Sequence, residues 1–151
     1  MKTQYALLAI AIILAGCRTS QPRMYDTYPP AIEAMCIDLS AQARAGIEQI
    51  DGKPITKRSG CKVVMVPATH NIGGMWAYEY PGIGMVGGIT MGGMIQVVAD
   101  PLTGEVAWNN LFHEFGHYWL ITAHGDGSHN PKYDSVFYWS GPQKPITSNR
   151  E

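Results

Sequence analysis

The spacing of apolar residues divides the chain into two kinds of segment. From Ala31 to about Gly46, Ile32, Met35, Cys36, Leu39 and Ala43 recur at intervals of three and four, with Pro30 just ahead of them. That period predicts a helix with one apolar face. Asp51-Gly52-Lys53-Pro54 reads as a turn. Residues 61–67 contain Val63, Val64 and Val66, and residues 94–99 read Met-Ile-Gln-Val-Val-Ala before Asp100-Pro101. Short runs rich in β-branched residues predict strands. Between them, residues 71–94 mix glycine with aromatics and methionine. Short strands are expected over 74–80 and 84–90, the glycines marking bulges, a mobile flap or a loop-rich sheet edge.

A second helical period covers residues 105–122. At about 100° per residue, Trp108, Phe112, Phe115 and Trp119 fall on one side of it, while His113, His117 and Leu120 fall on another. Gly125-Asp126-Gly127 ends it. A shorter helix is expected to begin at Ser128 or His129 and run through Tyr133, Val136, Phe137 and Tyr138. Residues 140–151 read as coil. The order of elements predicts one α+β domain over 31–151, with a mostly antiparallel sheet against a buried helix. No repeat period interrupts this reading.

Composition changes the picture mainly by exclusion. The net charge is −1, from 11 basic and 12 acidic residues. No basic stripe is present to draw in nucleic acid, so that class of partner is set aside. The N-terminus adds an address. Met1 and Lys2 precede an unbroken run of Ala, Leu and Ile over 6–15, then Gly16 and Cys17. Such a run is too short to cross a ~30 Å hydrocarbon core and has the layout of a signal peptide. Leu14-Ala15-Gly16-Cys17 resembles the bacterial lipobox, which implies a signal peptide over 1–16, lipidation of Cys17 and a membrane partner through that anchor. Residues 17–30 then form the tether. Arg18 after the cysteine favours the outer membrane in a cell with two membranes. The remaining cysteines, Cys36 and Cys61, are expected to pair as a disulfide in an exported domain.

The candidate chemistry lies in the second helix. His113-Glu114-Phe115-Gly116-His117 has the form H-E-x-x-H. Histidines four apart lie one turn apart on one face, so both imidazoles can reach one zinc ion, and the glutamate between them is placed as a general base for water. A catalytic zinc usually takes three protein ligands. His129, beyond the glycine turn, is the first candidate for the third. His124 would serve if the chain bent back, and Asp126 and Asp134 remain open. Tyr133, Tyr138 and His124 are candidate donors to a developing oxyanion. Asn109 and Asn110, a turn before His113, are candidates to orient a ligand ring. His70, at a strand end, reads as a surface residue.

His113 to Trp139 resembles the zincin peptidases of the SprT and WLM type, in which H-E-x-x-H is followed by a short loop and a histidine opening H-x-P-x-[FY]. Here that second motif reads His129-Asn130-Pro131-Lys132-Tyr133. The resemblance implies a zincin-like fold, one catalytic Zn2+, His129 as third ligand, and a protein or peptide substrate. An edge strand within 84–99 would suit an extended peptide. The alternative function is a lipoprotein that binds zinc or a partner on the same scaffold without catalysis.

Overall fold

The computed structural model describes residues 23–24, 30–57 and 60–138. The signal segment, Cys17, most of the tether and the stretch from Trp139 onward lie outside the described residues. Helix α1 spans Pro30–Asp51. It runs past the expected end because Ile47 and Ile50 continue the apolar period, and Cys36, Leu39, Ala43 and Ile47 are all buried. Gly52 follows at φ +65°, a left-handed conformation that glycine adopts without strain.

Seven strands, one ahead of α1 and six after it, form two sheets. β1 (Arg23–Met24), β2 (Lys62–Pro67), β7 (Met94–Ala99) and β6 (Gly88–Met91) make one, in the order β1-β2-β7-β6. β3 (His70–Ile72), β4 (Met75–Tyr80) and β5 (Gly84–Val86) make the other. The β3–β4, β4–β5 and β6–β7 pairings are antiparallel, in keeping with the expected sheet. The central β2–β7 pairing is parallel, from Lys62 opposite Met94 to Pro67 opposite Ala99. Val63, Ile95, Val97 and Val98 are buried along it, as central strands require. The strand expected over 84–90 is broken at Gly87, where the chain passes from one sheet to the other. A Cβ there would lie 2.5 Å from Asn110 Nδ2, so only glycine fits without moving that side chain.

Helix α2 spans Trp108–His124. Its start falls after the expected Glu105 because Val106 still bridges to Ala99 and Ala107 is extended. It ends at Gly125, φ +79°, whose N–H donates to the Ile121 carbonyl. α2 packs against both α1 and strands β6 and β7. On the α1 side, Trp119 Nε1 donates to Ser40 Oγ at 3.1 Å, and the Arg44 guanidinium lies over the same ring. A 3-10 turn (Pro131–Tyr133) and the short helix α3 (Asp134–Phe137) replace the single helix expected from Ser128. Two glycines let α3 dock. A Cβ on Gly116 would meet Phe137 and Val136 at 3.2 Å, and one on Gly46 would meet Val136 at 3.3 Å.

Cys36 and Cys61 are buried free thiols, where a disulfide was expected. Burial pushes both thiols up to about 12, so they stay protonated and pack as small apolar groups.

Candidate functional site

The interior face of the β6–β7 edge is where the site begins. Side chains alternate along a strand, so Gly88 and Thr90 of β6 point the same way, as do their partners Val97 and Ile95 of β7. That face meets α2 at Glu114. Thr90 Oγ1 lies 2.7 Å from Glu114 Oε2 and 2.9 Å from the Glu114 carbonyl. A Cβ on Gly88 would lie 2.8 Å from Glu114 Cγ and 3.1 Å from the Gln96 carbonyl. Gly88 therefore lets the carboxylate pass and Thr90 holds it. Glu114 is 6% exposed, and burial pushes its carboxyl up to about 7 against the lowering effect of the Thr90 hydrogen bond.

The histidines stand one helical turn apart, as the i, i+4 spacing predicts. His113 Nδ1 faces the Phe137 carbonyl at 3.2 Å, and His117 Nδ1 faces the Gly127 carbonyl. A carbonyl only accepts, so each Nδ1 carries the proton and each Nε2 presents a lone pair. Those two Nε2 atoms are 3.0 Å apart. The loop after α2 brings in His129, whose Nε2 lies 3.1 Å from that of His113 and 3.2 Å from that of His117. The His129 ring stacks on His117 with 8° between planes and lies against Phe137.

Nitrogens that bind one tetrahedral zinc at 2.0–2.1 Å stand about 3.3 Å apart, close to this triangle. The donor set fits zinc on chemical grounds as well. With both rings neutral, the Nε2 lone pairs of His113 and His117 face each other, an arrangement that a shared cation would satisfy. Burial lowers the pKa of both rings, that of His117 to about 4, which keeps them in the neutral form that metal binding requires. Carbonyl partners behind ligand rings are the usual means of fixing their orientation.

Other sequence candidates fall elsewhere. His124 Nε2 lies 2.8 Å from Asp51 Oδ2, away from the triangle. Asp126 accepts from the Ser128 N–H and hydroxyl. Among the described residues, His113, His117 and His129 are the group placed to share a metal; Asp134 is not among them. Tyr133 is buried and its hydroxyl is 2.8 Å from Asp51 Oδ1, so it does not face the site. Tyr138 is 62% exposed with its hydroxyl 3.4 Å from His129 Nδ1, which leaves it as the tyrosine beside the histidine triangle. His70 is exposed, as expected. Asn109 and Asn110 contribute to an open cavity of about 340 Å³ beside His113, with Trp108, Phe137 and Tyr138. Sequence reasoning missed Gly88 and Thr90. Their two-residue alternation on a strand was the available signal.

The shifts at these residues make opposing contributions to stability in the metal-free protein. His113 and His117 titrate below the ordinary 6.5 when folded, so the unfolded chain takes up their protons first. Their contribution is present above about pH 6.5 and is lost as pH falls through the folded values. Glu114 holds its proton to about 7 when folded and releases it near 4.5 when unfolded. Its contribution is therefore lost as pH rises across that window. Replacing Glu114 with Gln removes only the second effect. Urea midpoints of the chelator-treated variant should then climb more steeply from pH 4.5 to 6.5 than those of the unaltered protein. An equal or shallower climb would contradict the burial assigned to Glu114.

Comparison with known proteins finds no family model, no curated protein and no solved structure that matches this chain.

Proposed function

We propose that this chain is a zinc-dependent peptidase of zincin type, attached to a bacterial envelope through lipidated Cys17. The observation that carries the reading is the convergence of the His113, His117 and His129 Nε2 atoms within 3.2 Å of one another, beside a buried glutamate. Three imidazoles would hold the ion and leave a fourth position for a small ligand, the arrangement of catalytic rather than structural sites. Bound there, zinc would lower the pKa of water towards ~7 and polarise a substrate carbonyl.

The chain's own residues supply the rest. Glu114, with a carboxyl pushed up to about 7, is suited to take a proton from water and return it to a leaving amine near neutral pH. Thr90 engages Oε2 and holds the carboxyl in place. Substrate class follows from β6. Among the described residues it is the edge of its sheet, paired with β7 alone, and its own Thr90 engages Glu114. An extended peptide adding to that edge would use backbone hydrogen bonds for affinity. The cavity beside His113 would then receive a side chain of the substrate, with Asn109, Asn110 and Tyr138 at its wall.

Incubating the zinc-loaded protein with a broad peptide library, and reading products by mass spectrometry, tests this. Cleavage that a chelator abolishes and zinc restores is expected. One equivalent of bound zinc with no cleavage across the library would sink the peptidase reading and favour a binding scaffold.

A further inference from the structure

Asp51 is the last residue of α1, and its side chain is 4% exposed. A carboxylate is poorly placed there, because the C-terminal end of a helix already carries partial negative charge and burial removes water. Three side chains offset this. Lys132 Nζ donates to Oδ1 at 2.7 Å, the Tyr133 hydroxyl donates to Oδ1 at 2.8 Å, and His124 Nε2 lies 2.8 Å from Oδ2. Together, with Lys132 first, they hold the Asp51 carboxyl at about 2.

The positions of these donors give the cluster its meaning. His124 is the last residue of α2, and Lys132 and Tyr133 lie in the 3-10 turn that follows. Between them runs the loop 125–131, which holds His129 and the Gly127 carbonyl that orients His117. His129 is itself exposed, so burial in the core does not fix it. Its ring has Phe137 and His117 beside it, while the two ends of its loop are tied to one carboxylate on α1. Asn130 adds a local tie by accepting from the Lys132 N–H.

We propose that Asp51 is a positioning residue for His129: it clamps both ends of the 125–131 loop and so presets the third imidazole for the metal. This rests on the reading of the three histidines as a zinc site. Loss of groups that support a metal ligand typically costs about 10–100-fold in affinity. Asp51→Asn keeps the shape of the side chain and removes its charge.

The test measures zinc affinity by competition with a chromogenic chelator for the full chain, Asp51→Asn, His129→Ala and the double variant. Amide hydrogen exchange is followed in the metal-free proteins. Asp51→Asn should weaken zinc binding about tenfold or more when His129 is present and by clearly less when it is absent, where only the Gly127 carbonyl behind His117 is still affected. Amides in 125–130 should exchange faster while α2 and β7 keep their protection. Lys132→Met removes one donor from the exposed side of the cluster and should shift both readouts the same way by less. Unchanged affinity in Asp51→Asn, or an equal loss in the His129→Ala background, overturns the clamp. A full chain that takes up no zinc defeats the metal reading and the clamp with it; a chain that binds zinc tightly with or without Asp51 defeats the clamp alone.

Discussion

Glu114→Gln is expected to leave zinc affinity nearly unchanged and to lower peptide cleavage by roughly 10²–10⁴-fold, the range that a positioned general base contributes. The substitution is almost isosteric, so Thr90 retains an acceptor at Oε1 of the amide and Gly88 still leaves room for the side chain. What disappears is the capacity to take a proton. The histidine triangle does not depend on the carboxylate, since its rings are oriented by the Phe137 and Gly127 carbonyls. Zinc content and cleavage therefore separate in this variant. A zinc-loaded Gln variant with full activity would show that another group moves the proton.

The second large effect concerns the third ligand. His129→Ala should weaken zinc binding by more than the about 100-fold that loss of a supporting group can cost, because it removes a donor atom itself. His124→Ala should cost much less, no more than the about 10–100-fold of a lost supporting contact, since that ring lies on Asp51 and reaches the site only through the loop. Isothermal titration or chelator competition on both variants separates them. Equal losses, or a larger loss from His124→Ala, would place the third ligand wrongly.

Much of the site was open to sequence reasoning because helical spacing fixes geometry. His113 and His117 had to share a face of α2, and Gly125 had to end the helix and turn the chain back. Whether the loop would deliver His129 or leave His124 in reach depended on Asp51, a residue 73 positions before His124. No local pattern encodes that contact. Thr90 reaches Glu114 across 24 positions of sequence for the same reason, through a strand pairing that periodicity alone does not specify.

The fold divides similarly. The α1 and α2 periods were clear, and their boundaries moved only where Ile47 and Ile50 extended one helix and the Val106 bridge delayed the other. The glycine-rich middle was harder. Residues 84–90 read as one strand, yet Gly87 sits against Asn110 and divides two strands of different sheets. β3 gave no alternation because all its residues are exposed. Cys36 and Cys61 carried an expectation based on compartment, while their burial in the core lets them pack as thiols.

In the proposed site, three imidazoles of this chain hold one zinc ion. X-ray absorption at the zinc edge, on protein loaded to saturation and freed of excess metal, addresses it most directly. One zinc per chain is expected, with three imidazole nitrogens at about 2.0–2.1 Å and one further light atom. A spectrum with fewer than three imidazoles, with sulfur at about 2.3 Å, or a protein that retains no zinc, would contradict the account.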